Sequence, residues 1–188
     1  MMKMMKVTLV AIFAVLSSQL AMAGEHAPEK IIPLMKGARI SLMDGIVLAE
    51  KSGAVATSAK FEINDFGKLE LSVYTVPEGL KVEPEKATLT ELSGDASKAP
   101  FTFKAEVFAD KVHIARAAVH MTMFQLAQLS LKEVLQKATV DNKGVPIDVR
   151  NPMVRNGTPV ADVVVVLPNG KATTVSVDLA TGNIHGKH

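Results

Sequence analysis

The 188-residue chain has no cysteine. This excludes disulfides, a thiolate nucleophile and thiolate metal ligation, so stability has to come from packing. It also leaves no residue near the N-terminus able to carry the acyl chains of a lipoprotein. Aromatic residues are scarce, at 4%, and no dense Lys/Arg stripe interleaves with them, which argues against a nucleic-acid partner. Catalytic signatures are missing as well: there is no Gly-x-Ser-x-Gly elbow, no His-Glu-x-x-His pair and no Walker loop. Among 19 acidic residues any two could be named acid and base, and solvated surface charge is the simpler account. The sequence predicts a protein that is not an enzyme.

What the chain does hold begins with a secretion signal. Lys3 and Lys6 form a positive start, Val7 to Leu16 an uncharged stretch, and Ala21-Met22-Ala23 a small-residue site for cleavage before Gly24. The apolar run falls short of the roughly 20 residues that span a bilayer. Residues 1–23 are therefore expected to be removed, leaving 165 residues at work in the periplasm or outside the cell. Losing the two lysines takes the formal charge from +2 to about zero, so the apparent basicity belongs to the targeting segment. Cleavage there puts His26 third after a free amine. The Gly24 amine, two amides and the His26 ring then offer a planar nitrogen set suited to adventitious Cu(II) or Ni(II), and no other cofactor is expected.

After the signal, residues 24–39, with Pro28 and Pro33, read as an irregular lead-in. A first unit follows over 40–98. Ser41-Leu42-Met43-Asp44 has capping-box spacing, and the short amphipathic helix it opens ends near Gly53. Strand-like runs Ala59 to Ile63 and Leu69 to Val76 flank the turn Asn64-Asp65-Phe66-Gly67-Lys68. A third run, Ala87 to Leu92, stops at Ser93-Gly94-Asp95. The same order returns over 129–188. Ser130-Leu131-Lys132-Glu133 is a second capping box, and Leu129 and Val134 stand where a hydrophobic staple would join them. The turn Arg155-Asn156-Gly157-Thr158, the strand Val160 to Leu167, the turn Pro168-Asn169-Gly170-Lys171 and the strand Ala172 to Ala180 follow. Thr181-Gly182-Asn183 then matches Ser93-Gly94-Asp95, and the whole reads as an internal duplication.

This helix, hairpin, strand order resembles the PepSY domain family, most closely over Ala161 to Ile184 with its closing Val-Asp-Leu-Ala-Thr-Gly-Asn-Ile. The first copy, Ile40 to Asp95, is similar but looser, with Pro84 lengthening the link between its last two strands. The resemblance implies an α+β fold of two tandem units, each a helix on a small antiparallel sheet. PepSY units in exported bacterial proteins are associated with binding or restraining peptidases, and they accompany protease precursors as pro-segments. The resemblance therefore implies a non-catalytic protein that binds a protein or peptide partner, with a peptidase as one class of partner.

Between the units, residues 99–128 read as a linking strand and helix. Asp110 to Gln128 is apolar on most of its circumference and is expected to be buried between the units. On it His113, Arg116 and His120 share one stripe, the best candidates for a binding site. The two histidines lie about 10 Å apart along the axis, too far to share one metal ion unaided. Met121 and Met123 read as core filler before copper ligands. Asp162, inside an apolar strand, is expected to alternate outward to water. Scattered His and Met residues are the motive for an alternative reading, an envelope protein handling small molecules or copper.

Overall fold

Two capping boxes, three Asn/Gly hairpin turns and alternating apolar strands translate directly into elements. The computed structural model describes residues 27–83, 86–127, 129–140 and 143–187, and the signal segment, Gly24, His26 and Pro84 lie outside them. The described helices are α1 (Pro28–Met35), α2 (Leu42–Ala49), α3 (Lys111–Leu126) and α4 (Leu131–Val140). The strands are β1 (Val55–Ile63), β2 (Leu69–Val76), β3 (Leu89–Asp95), β4 (Lys104–Phe108), β5 (Val145–Val149), β6 (Met153–Arg155), β7 (Thr158–Val166), β8 (Ala172–Asp178) and β9 (Ile184–Lys187). The fold is α+β, and all strands join one antiparallel sheet in the order β4-β3-β2-β1-β5-β7-β8-β9, with β6 beside the start of β7.

The expected pair of small sheets is therefore one continuous sheet. Both halves follow one plan: α2 precedes β1 to β4, and α4 precedes β5 to β9, with β5 and β6 together facing β7 as β1 faces β2. Buried Pro152 lies between β5 and β6, and a proline there removes a backbone donor and interrupts the ladder. The halves meet where β1 and β5 pair, and that seam is short: only Ala59↔Val149 and Lys60↔Asp148, against eight pairs between β1 and β2. Packing supplies the rest of the joint, because α2 and α4 lie on the same face and share a core with Phe61, Leu71, Val163 and Val177.

Both expected capping boxes form. The Asp44 amide donates to Ser41 Oγ at 3.1 Å. At α4 the exchange is reciprocal, with the Ser130 amide donating to Glu133 Oε2 at 2.7 Å and the Glu133 amide to Ser130 Oγ at 3.4 Å. The closing turns of the two halves, however, do not match in the register expected. Ser93-Gly94-Asp95 is strand, not turn; a Cβ on Gly94 would collide with the Thr102 carbonyl and the Phe101 ring. The turns that share a geometry are those at Asp95 and Asp178. Each carboxylate accepts the amide two residues on, Ser97 at 3.0 Å and Ala180 at 2.8 Å. The buried residues between, Ala96 and Leu179, donate their amides to the Leu69 and Pro159 carbonyls.

Two further expectations are corrected. The lead-in is not irregular: Pro28 occupies the first turn of α1, where its missing N–H costs nothing, and Ile31 drops into the core. The linking helix α3 is not enclosed between the units. Leu71 and Val73 feed the face under α2 and α4, so the alternating Tyr74 and Val76 point the other way, and α3 packs there through Ala117 and Met121. Phe124 reaches the main core. Val112, Val119 and Leu126 remain 65%, 53% and 78% exposed, since one sheet face covers only one stripe of a helix.

Candidate binding groove

On the α3 face, polar residues alternate with the core: Ser58, Lys60 and Glu62 along β1, Ser72 and Tyr74 along β2. Where α3 stops short of the second half, a groove of about 710 Å³ opens across this floor and over the β1/β5 seam. Its walls come from both halves of the sheet and from α1 and α3, with Pro28, Ile31 and Val164 among the apolar lining. Lys60 and Tyr74 form the floor, Phe108 closes the β4 end, His113 and Arg116 project from α3, and Asp148 and Arg150 rise from β5 and its exit.

The β4 end is preorganised. Asp110 caps α3, its Oδ1 accepting the amides of Val112 and His113 at 3.1 and 3.2 Å. Its other oxygen lies 2.5 Å from His113 Nδ1, and these hydrogen bonds from His113 hold the Asp110 carboxyl below its ordinary range. An ionised carboxylate only accepts, so His113 carries a proton on Nδ1. The imidazole also stacks on Phe108, with centroids 4.5 Å apart and planes 19° apart.

On the floor, Lys60 Nζ lies 5.7 Å from the centroid of the Tyr74 ring and 2.6 Å from Glu62 Oε2, while Ser72 Oγ donates to Glu62 Oε1 at 2.6 Å. Burial, then the charges of Glu91 and Glu62, push the Tyr74 phenol upward, and a hydrogen bond to Glu91 adds to this, so the phenol stays neutral. Across the seam Arg150 Nε donates to Asp148 Oδ2 at 3.1 Å.

Of the three candidates on the α3 stripe, His113 and Arg116 therefore line the groove and His120 does not. His120 is 7% exposed, and its Nδ1 has no hydrogen-bond partner among the described residues. Burial, with the Arg116 charge second, pushes its pKa down to about 4. Met121 is core. No group of three or more His, Asp or Glu side chains able to hold a metal ion occurs among the described residues. The planar nitrogen set of Gly24 and His26 lies outside them.

Asp162 is the reverse of what alternation to water predicts. It faces the α3 side of the sheet but is 3% exposed, because the β6 hairpin folds Arg155 over it. Both guanidinium termini and Ser176 Oγ bind its carboxylate. The three residues form a buried structural cluster. The groove residues that the sequence reading passed over include Lys60, Tyr74, Phe108, Asp148 and Arg150. One signal was available: Tyr74 is the chain's sole tyrosine and stands at an outward position of an alternating strand.

No protein-family model matches the chain, and no curated protein matches it. Among solved structures it is similar to the crystal structure of a "putative lipoprotein" from Clostridium difficile 630, at 12% identity and a TM-score of 0.40, over 80% of this chain and 93% of that one. No described helix is long and apolar enough to cross a membrane.

Proposed function

We propose that this chain is an exported, non-catalytic binding protein, built from two PepSY-like units, whose partner is an extended segment of a protein or peptide. The observation that carries the reading is the open groove ending at Phe108, on a strand whose outer edge has no partner among the described residues. A small-molecule carrier calls for a closed apolar pocket with a few converging polar groups. This groove is instead open, crosses several strands and mixes aromatic with charged walls. An added strand gains main-chain hydrogen bonds from a sheet edge and selectivity from side-chain pockets beside it. The charges of Lys104 and Glu106 on β4 keep that edge from pairing indiscriminately.

The shared plan of the two halves and the shared geometry of their Asp95 and Asp178 turns support the duplication behind the PepSY resemblance, which directs the search for a partner toward peptidases of the same compartment. The test is retention of peptides from a randomised nonapeptide mixture on the immobilised mature chain, followed by hydrogen exchange with the retained pool. Slower exchange across Lys104–Phe108 is the expected result. A chain that retains no peptide overturns the reading.

A further inference from the structure

Two of the three cations facing the groove are already bound to carboxylates. Glu62 is taken by Lys60 at 2.6 Å and Asp148 by Arg150 at 3.1 Å, and Glu91 holds the Tyr74 phenol. Arg116, exposed at the groove's α3 wall, has no hydrogen-bonded or ion-paired carboxylate among the described residues. Beside it the Tyr74 phenol and the buried His120 imidazole are uncharged, and the nearby acids Glu91 and Glu62 bind that phenol and Lys60 rather than Arg116. One guanidinium without a bonded carboxylate thus stands over a floor whose cations Lys60 and Arg150 are already engaged.

A guanidinium presents a rigid fork of donors that matches a carboxylate in bidentate fashion. One free positive charge matches a monoanion; a phosphate dianion would call for a second free cation, and both neighbouring cations are engaged. The helix that carries it is anchored at this end, where Asp110 caps α3 and His113, three residues earlier on the same side, stacks on Phe108.

We propose that Arg116 anchors a carboxylate of the bound segment, so that the groove selects acidic peptides. This rests on the peptide-binding reading above. The carboxylate can come from a Glu or Asp side chain or from the peptide's C-terminus, and the experiment separates the two. Three randomised nonapeptide mixtures are passed over the immobilised mature chain: one amidated with Glu fixed at the centre, one amidated with Gln there, and one with Gln there and a free C-terminal acid.

Retention of the Glu mixture about tenfold above the amidated Gln mixture, the scale of one charge-assisted hydrogen-bonded pair, supports side-chain capture. The same excess for the free-acid mixture supports C-terminal capture. Arg116→Gln should remove the excess while leaving the melting temperature unchanged, because the side chain is exposed and without a partner. Equal retention of all three mixtures overturns the carboxylate anchor and leaves the peptide-binding reading standing, as does an excess that survives Arg116→Gln. Retention of none overturns both.

Discussion

Arg155 grips Asp162 with both ends of its guanidinium, Nη2 at 2.8 Å from Oδ2 and Nη1 at 3.3 Å from Oδ1. Nη1 also donates to Ser176 Oγ at 2.7 Å, and that hydroxyl donates to Oδ1 at 2.6 Å. The relationship ties β6 to β7 and β8, so the short β6 depends on a side-chain clamp as much as on its ladder. Replacing Arg155 with Met leaves a buried carboxylate with Ser176 as its remaining side-chain partner. The expected loss at neutral pH is about 3 kcal/mol, the lower end for breaking a buried pair, because Arg155 is partly exposed.

That clamp carries a pH signature. Burial pushes the Asp162 carboxyl upward, but hydrogen bonds from Arg155 and Ser176 and the charges of Arg155 and Arg150 outweigh it, and the group ends below its ordinary value. A depressed acid contributes fully above its unfolded pKa, about 3.9, and the contribution is lost as pH falls through the folded value. The stability gap between wild type and Arg155→Met should therefore be largest at neutral pH and narrow as acid protonates Asp162, first in the variant, where burial is no longer offset by Arg155, and then in wild type. Urea titrations at neutral and acid pH measure the gap, and a constant difference would show that Asp162 is not the group responsible.

His120 acts in a higher window. Its folded pKa of about 4 lies below the unfolded value of about 6.5. The folded state thus resists protonation, stability is complete above about pH 6.5, and it declines as pH falls from there toward 4, by about 3 kcal/mol in all. His120→Leu should flatten this slope and relieve the unsatisfied Nδ1. Thermal melts across that range that are parallel for the two proteins would disprove the assignment.

Helix α3 has a buried stripe and a bare one, and they should answer differently to truncation. Phe124, 4% exposed in the main core, should cost roughly 3 to 5 kcal/mol on replacement by Ala. Val119→Ser on the outer face should stay within about 0.5 kcal/mol. Chemical denaturation of the two variants decides, and similar losses would mean that both faces are covered.

The reciprocal cap on α4 predicts that Ser130→Ala destabilises the protein by about 1 kcal/mol. Replacing Glu133 by Ala as well should add less than its single effect, because the two side chains serve the same helix turn. Full additivity in thermal melts would separate them into independent contributors.

Local chemistry determined much of this protein in advance. Ser41 and Ser130 place α2 and α4, since a cap needs only a hydroxyl and an amide three residues on. Asn156 and Gly157, with φ of 51° and 81°, place the β6/β7 hairpin, and the alternation of Leu69 to Val76 assigns each of its side chains to a face. The α+β class follows from those signals. Tertiary structure alone decided the remainder. Strands β5 and β9 are too short to show a period, and Pro33 hides α1, whose helix is held by the burial of Ile31. Whether α3 was enclosed depended on how much sheet there was to cover it, and whether Asp162 met water depended on a hairpin arriving with Arg155. The groove itself joins Lys60, Tyr74, Phe108, Arg116 and Arg150, distant in the chain and brought together when α2 and α4 share one core and draw β1 against β5. No local pattern encodes that meeting, because it follows from the area of apolar surface the two halves bury jointly.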